Sequence, residues 1–199
     1  IGVDVTREAV RVLDTVGQIH GGLSFSYKEY DWGCDYYLKH GVMMPEDGLQ
    51  QLEQSDAVFL GAVGDPNLVP DHISLWGLLV KIRRGFEQAI NVRPAKQMKG
   101  IASPLTNPND FDFVVVRENS EGEYSEVGGR MHSGENEMAI QNAVFTRKGT
   151  ENAMKYAFEL AKTRDSRVTS ATKSNGIIHS MPFWDEVFAD VSQNYQDVA

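Results

Sequence analysis

The 199-residue sequence contains a single cysteine, Cys34, so no disulfide can form within the chain, which fits a reducing compartment such as the cytoplasm. No apolar run approaches the roughly 20 residues of a membrane-spanning helix and no signal-peptide pattern is present, so we expect no membrane partner. Positive charge is scarce, since 19 Lys and Arg stand against 28 Asp and Glu, a formal net charge of −9. A general nucleic-acid binder needs a basic surface, and we therefore expect no nucleic-acid partner.

A dinucleotide-binding glycine fingerprint is also missing. The loop 61–66, GAVGDP, follows an apolar run, but its glycines lack the G-x-G-x-x-G spacing. Such a loop indicates only that the backbone turns tightly or approaches another group closely. The composition is otherwise ordinary, with 41% hydrophobic and 24% charged residues, and it predicts a globular fold rather than a disordered chain.

Periodicity predicts a mixture of helices and strands, which is the pattern of an α/β fold. Helical spacing predicts helices over 4–19, 35–40, 45–53, 74–89, 149–162 and 181–195. Short apolar runs predict strands over 23–27, 57–60, 111–116 and 168–172, and the segment 138–146 has a strand-like composition. The first of these helices has an apolar face at helical spacing.

The stretch from Phe111 to Tyr124, FDFVVVRENSEGEY, is where we expect the site to be centred. Its apolar run is typical of a strand buried on both faces, and it stops at Arg117, where a polar string begins. Ligands of α/β folds bind just beyond the carboxyl ends of strands, where an arginine could hold an anion and a tyrosine could move a proton. The alternative is a solvated loop in which Arg117 pairs with the neighbouring glutamates, and the string alone leaves both interpretations open.

Two further arginines lie near strand ends or beside a buried helical stripe. Arg83 lies at the edge of the apolar stripe of the predicted helix 74–89, and Arg93 stands in the NVRP segment. A single arginine is more often a surface charge than a ligand. Three of them are more informative, because a guanidinium binds a carboxylate through two parallel hydrogen bonds that lysine cannot form.

These motifs together resemble a known enzyme family. The segments that carry the resemblance are DWGCDYYLKHGVMMPEDGL, FLGAVGDP, PDHISLWGLLVKIRR, NVRP, VVVRENSEGEYSEVGGR and TSATKSNGI. They resemble the NAD-dependent β-decarboxylating dehydrogenases of 2-hydroxy acids, which include isocitrate and isopropylmalate dehydrogenases, and they are most similar to the tartrate and D-malate dehydrogenase branch. The resemblance extends over essentially the whole chain.

The resemblance implies a role for each polar residue singled out above. It implies that Arg83, Arg93 and Arg117 clamp the malate part of a small dicarboxylate substrate. It implies that Tyr124 is the general acid. It also implies that Lys173 acts on the C2 hydroxyl and reaches into the site of a partner subunit.

Further implied contacts surround the substrate and the cofactor. Ser74 and Trp76 fall in the region that reads the variable group of the substrate. Ile1, Asp71 and Asn175 fall on the cofactor side, Ile1 at the end of a glycine-rich turn and Asn175 near the nicotinamide. The implied cofactors are NAD and Mg²⁺ or Mn²⁺, but the family's metal ligands lie beyond Ala199, so we assign no metal ligand in this chain.

The implied architecture is a partial isopropylmalate/isocitrate dehydrogenase-like fold with two domains. Residues 1–92 would be part of the large domain, and 93–199 the smaller domain with a dimer arm at about 120–146. The first residue is not methionine and the chain ends in mid-pattern after a helix, so we expect a fragment that is inactive alone and a homodimer as the whole protein. Alternatives are a 3-isopropylmalate dehydrogenase and a catalytically silent subunit of a heteromer, and the choice between NAD and NADP stays open.

Overall fold

The computed structural model describes residues 2–105 and 110–199, which form two compact units, one ending at Phe86 and the other running from Glu87 to Ala199. No described helix combines the length and the apolar character needed to cross a membrane. The domain boundary that the resemblance places near Val92 stays a prediction.

The described part of the N-terminal unit is helical. It contains α1 (Gly2–His20), α2 (Cys34–His40), α3 (Gly48–Leu52), α4 (Asp71–Ser74), a π-helical stretch (Leu75–Val80) and α5 (Lys81–Gly85). The last three follow one another without a break and form the long helix that the apolar periodicity predicts. The predicted helices near residues 4–19, 35–40 and 45–53 are likewise confirmed, the third over a shorter range.

The core of this unit lies between the long helical segment and the loop before α3. Its buried apolar side chains are Met43, Met44, Leu52, Val69, Leu78 and Ile82. Glycine permits the close approach, because a Cβ atom at Gly77 would lie 2.8 Å from Cγ of Met43, and one at Gly85 would lie 2.5 Å from a methyl group of Leu49. Either glycine could gain a side chain only if the packing shifted.

Two expectations for the N-terminal unit were wrong, because the segments 23–27 and 57–60 are not strands. In addition, no residue of α1 is fully buried. A strand requires a neighbour that takes up its backbone N–H and C=O groups, and within the described residues neither segment has such a ladder. Their apolar side chains remain exposed, as Phe59 at 56% and Val12 of α1 at 62% illustrate.

The C-terminal unit contains two antiparallel ribbons and two helices. The strands are β1 (Ile90–Lys96), β2 (Asp112–Glu118), β3 (Gly122–Met131) and β4 (Met138–Val144), with a 3₁₀ turn at Gly134–Asn136, and the helices are α6 (Arg147–Lys162) and α7 (Ser180–Ser192). β1 pairs with β2 and β3 pairs with β4. The helices predicted over 149–162 and 181–195 and the strand-like segment 138–146 are confirmed.

The core of the C-terminal unit lies between α6 and α7. Met154 and Phe158 of α6 pack with Val187 and Val191 of α7. The ring of Phe158 stacks on that of Tyr195 at 4.8 Å between centroids. The helical periodicity of both segments is therefore explained by a partner within the same unit.

Two expectations for the C-terminal unit were also wrong. β2 is not buried on both faces, because Phe113 and Val115 are 52% and 48% exposed. The segment 168–172 is not a strand. Its first residue, Val168, donates its backbone N–H to the C=O of Ala199 at 2.9 Å. Both differences have one cause, since β2 has a single neighbour, β1, and 168–172 has no strand beside it in the described residues.

Candidate active site

One face of the β1–β2 ribbon holds two of the predicted arginines. The antiparallel register places Asn91 opposite Arg117 and Arg93 opposite Val115. Directly opposed residues, and residues two apart along a strand, point to the same face of a sheet. Arg93 and Arg117 are therefore diagonal neighbours, with backbones about 7–8 Å apart, and their long side chains can meet at one small anion.

The glutamates beside Arg117 are bonded to other groups. Glu118 accepts hydrogen bonds from the N–H of Ser120 at 2.9 Å and of Glu121 at 2.7 Å. Glu121 accepts from the N–H and hydroxyl of Thr146 at 2.8 and 2.6 Å. Within the described residues no carboxylate forms an ion pair with Arg117. The solvated-loop alternative, with Arg117 paired to its own glutamates, is thus not what the structure contains.

Tyr124 lies beside Arg117 because β3 bulges there. Gly122 pairs with Val144 and Val127 pairs with Asn142, so residues 123–126 are matched by a single residue of β4. Bulges of this kind redirect side chains and are common next to active sites. The bulge carries the half-buried Tyr124, and the guanidinium carbon of Arg117 lies 5.2 Å from the centroid of its ring, within cation–π range.

Two side chains hold the bulge in shape. The Ser125 hydroxyl donates to the C=O of Gly122 at 2.5 Å and accepts from the N–H of Val144 at 3.2 Å, so it joins both strands. The Gln141 amide donates to the C=O of Glu123 at 3.0 Å. Glu126 closes the bulge with a φ of 58°, a left-handed conformation that is uncommon for a residue with a side chain. The position of Tyr124 is therefore fixed by hydrogen bonds on both sides of it.

Arg93 is at one end of a chain of hydrogen bonds that runs through the side-chain amides of two asparagines. Its Nε–H donates to Oδ1 of Asn91 at 3.1 Å, and Nδ2 of Asn91 donates to Oδ1 of Asn119 at 3.4 Å. Nδ2 of Asn119 donates to the C=O of Gln88 at 3.1 Å. Exposure rises along this relay, from Asn119 at 5% through the half-buried Asn91 to the exposed Arg93.

Lys173 and Asn175 lie on a tight turn before α7, and both are exposed. The C=O of Lys173 accepts from the N–H groups of Gly176 and Ile177 at 3.0 and 2.9 Å, which fixes the turn. The preceding Thr172 donates its hydroxyl to Asp185 of α7 at 2.8 Å. The lysine side chain is thus presented to solvent from an anchored backbone.

The remaining predicted residues lie in the N-terminal unit. Arg83 is half-buried on α5, Ser74 is 4% exposed at the end of α4, and Asp71 is exposed at its start. Trp76 is on the π-helical stretch and lines a cavity of about 630 Å³ together with residues of the loop before α3. π-Helical turns are frequent at functional sites. Ile1 lies outside the described residues.

Comparison with known proteins assigns the chain to a family. Residues 1–199 match the family described as isocitrate/isopropylmalate dehydrogenase. The chain belongs to this family. The resemblance read from the motifs and the α/β fold class are both confirmed.

The similar members of the isocitrate/isopropylmalate dehydrogenase family fall in the predicted branch. The chain is 68% identical over 198 residues to a probable tartrate dehydrogenase/decarboxylase of Bacillus subtilis (strain 168), covering 100% of this chain and 56% of that protein. It is 49% identical over 203 residues to the D-malate dehydrogenase [decarboxylating] of Escherichia coli (strain K12), again with 100% and 56% coverage. The chain therefore spans little more than half the length of these relatives.

A solved structure of the family has the same fold. The isocitrate dehydrogenase of Methylococcus capsulatus superposes with a TM-score of 0.84 at 26% identity, covering 100% of this chain and 56% of that one. The fold of the described units is thus that of the corresponding part of an isocitrate dehydrogenase.

The described residues fit the two cofactors implied by the resemblance, a divalent cation and a dinucleotide, to different degrees. Among residues 2–105 and 110–199, no three Asp, Glu, His or Cys side chains come together as a metal site, so the chain as described does not fit a resident divalent cation. Asp71 and Asn175 are exposed and polar, which fits contacts with a dinucleotide.

Sequence reasoning missed the residues that hold the arginine and the tyrosine in place. Asn91 and Asn119 stand within the NVRP and RENSEGEY motifs, and Ser125 follows Tyr124 directly. The parity of the β1 segment was a usable signal for Asn91, because it lies two residues before Arg93 and so shares its face. No local signal marks Asn119 or Ser125, since Asn119 bonds the backbone of Gln88 and Ser125 bonds that of Val144, and both partners are distant in sequence.

Proposed function

We propose that the whole protein oxidises and decarboxylates a small 2-hydroxy dicarboxylate, D-malate or tartrate, with NAD as the hydride acceptor and Mg²⁺ or Mn²⁺ as a further requirement. The names of the similar family members support this activity. The observation that carries it is the shared face of β1 and β2, where Arg93 and Arg117 are diagonal neighbours and Arg117 stacks on Tyr124.

The first step is capture of the dicarboxylate. A carboxylate presents two oxygens that match the parallel N–H groups of a guanidinium. Within the described residues neither Arg93 nor Arg117 is paired with a carboxylate of the chain, so both remain available to a ligand. Arg83 is the third proposed clamp residue. Against a net charge of −9, locally placed arginines are what an anionic substrate needs.

The chemistry requires one base and one acid. Lys173 takes the proton of the C2 hydroxyl as hydride leaves C2 for the nicotinamide, which gives a β-keto acid. The carboxylate on C3 then leaves as carbon dioxide, and its bonding electrons form an enolate. Tyr124 protonates C3 of this enolate, which completes the 2-keto acid product. Asp71 and Asn175 are the described residues proposed to contact NAD, and Ser74 and Trp76 those proposed to select the substituent on C3.

The proposed homodimer rests on one face of the β3–β4 ribbon. The register places Val127, Met131, Met138, Ile140 and Val144 on that face, and each is between 39% and 46% exposed. An apolar ribbon face without a cover is typical of a surface that binds another chain. We propose that two copies pair through this arm and that Lys173 of one acts in the site of the other.

The experiment is a turnover panel on the whole protein with D-malate, tartrate and 3-isopropylmalate, each with NAD or NADP and Mn²⁺, followed by absorbance of the reduced nucleotide. We expect turnover of D-malate or tartrate with NAD. The Arg117→Lys variant should raise KM at least about tenfold, or about 1.4 kcal/mol, while the exposed Arg167→Lys serves as the matched control. Preference for 3-isopropylmalate, or no turnover of any substrate, would overturn the proposal. The 199-residue chain alone is expected to be inactive.

A further inference from the structure

We propose that Asn91 and Asn119 are positioning residues that orient the Arg93 guanidinium before the substrate arrives. This inference rests on the proposed function, in which Arg93 binds a substrate carboxylate. Its basis is the hydrogen-bonded relay that runs from Arg93 through Asn91 and Asn119 to the backbone of Gln88.

The two ends of the relay fix the orientation of both amides. The C=O of Gln88 can only accept, so Asn119 must turn its NH₂ group toward it and its oxygen toward Asn91. The Nε–H of Arg93 can only donate, so Asn91 must turn its oxygen toward Arg93 and its NH₂ group toward Asn119. Every bond then runs in one direction, and each amide donates at one end and accepts at the other. Such a chain is strengthened by mutual polarisation.

The relay has a firm anchor. Asn119 is 5% exposed, and its backbone N–H donates to the C=O of Ala89 at 2.8 Å, which continues the β1–β2 pairing by one residue. The relay therefore connects a buried strand end to an exposed arginine within a few bonds. Arg117 lies opposite Asn91 in the register, so the anchor and both arginines belong to one hydrogen-bonded ribbon.

The relay engages only one of the guanidinium nitrogens. Arg93 donates to Asn91 through Nε–H, which leaves the terminal nitrogens free to form the two parallel bonds to a carboxylate. An exposed arginine otherwise samples many rotamers and loses this freedom on binding. Fixing one such side chain beforehand corresponds to about two- to tenfold in affinity.

The test is a double-mutant cycle on KM for D-malate in the whole protein. Arg93→Ala should raise KM strongly, and Asn91→Ala should raise it about two- to tenfold with kcat nearly unchanged. In the Arg93→Ala background, Asn91→Ala should have no further effect, because its only role is exerted through Arg93. The exposed Asn152→Ala on α6 is the matched control, and thermal unfolding of each variant reports on stability.

The outcomes separate this inference from the proposed function. If Arg93→Ala leaves KM unchanged, the proposed role of Arg93 fails, and the relay has nothing to position. If Arg93→Ala raises KM but Asn91→Ala does not, or if the two effects multiply, the relay is overturned while the proposed function stands.

A second measurement does not depend on enzyme activity. In the wild-type protein the Nε–H of Arg93, assigned by its loss in Arg93→Lys, should exchange with solvent several-fold more slowly than that of the exposed Arg167. In Asn119→Ala this protection should fall. Equal exchange of the two arginines in the wild type would refute the relay even if Asn91→Ala did not fold.

Discussion

Replacing Gly149 with alanine should destabilise the protein, although a glycine-to-alanine change inside a helix is ordinarily stabilising. Gly149 lies in the first turn of α6, where alanine is ordinarily favoured over glycine by about 0.5–1 kcal/mol. Here a Cβ atom would lie 2.5 Å from both Cδ and Oε2 of Glu121 and 2.6 Å from its Oε1. The carboxylate would have to leave its place.

The cost of displacing Glu121 follows from what its carboxylate binds. It accepts from both the N–H and the hydroxyl of Thr146, the residue that caps α6, and it stands at the positive end of that helix. Hydrogen bonds to charged groups are worth about 1.5–3 kcal/mol each, and solvent screening at the exposed Thr146 reduces this to about 2 kcal/mol for the pair. Subtracting the helical gain leaves a net loss of about 1 kcal/mol for Gly149→Ala.

The sharpest form of this prediction is a change of sign. Glu121→Ala alone should cost about 2 kcal/mol, and in that background Gly149→Ala should stabilise by about 0.5–1 kcal/mol. Urea unfolding of the whole protein measures the free energies, and amide hydrogen exchange over 147–162 locates the change in α6. The exposed Glu186→Ala is the control and should change stability by less than about 0.5 kcal/mol. A stabilising Gly149→Ala in both backgrounds would show that the carboxylate does not occupy the helix end.

Three further predictions concern the core, acid stability and the bulge. Phe158→Ala should cost about 3–5 kcal/mol in urea unfolding, because Phe158 is 2% exposed within the α6–α7 core, and a loss below about 1 kcal/mol would contradict that packing. Arg164, and then Lys96, lower the pKa of Asp112 below its ordinary 3.8, so the stabilisation is complete above that pH and is lost as pH falls through the lower folded value. A carboxyl NMR titration should give a higher Asp112 pKa in Arg164→Gln than in the wild-type protein, and equal pKa values would argue against the ion pair. Ser125→Ala should lower kcat about tenfold with little change in KM, since it loosens the bulge around Tyr124, the proposed general acid, and an unchanged kcat in steady-state assays would exclude that role.

Local patterns sufficed where an element finds its partner nearby in sequence. The apolar spacing over 149–162 predicted a helix, and α6 forms because α7 covers its Phe158 side within the same unit. The strand-like composition of 138–146 likewise predicted β4, which is joined to β3 by a short turn. Arg93 and Arg117 could be singled out because guanidinium chemistry does not depend on knowing the fold.

Other features depend on pairing that no local pattern contains. The apolar runs at 23–27 and 57–60 predicted strands, but neither segment is one, because a strand needs a hydrogen-bonded neighbour as well as a suitable composition. The bulge that carries Tyr124 exists because residues 123–126 of β3 are matched by a single residue of β4. This mismatch becomes visible only when the two strands are aligned. The role of Asn119 depends on a carbonyl of Gln88, which is remote in sequence.

The β1–β2 register also limits how this segment can change in length. Asn91, Arg93 and Arg117 share a face only because their offsets across the two strands are even. A single inserted or deleted residue between Asn91 and Arg93 would turn the arginine to the opposite face, toward α6, and would invert the hydrophobic side of the ribbon. An insertion of two residues would preserve the facing. Loop grafting or chimera construction in this region should therefore conserve odd–even parity before it conserves residue identity.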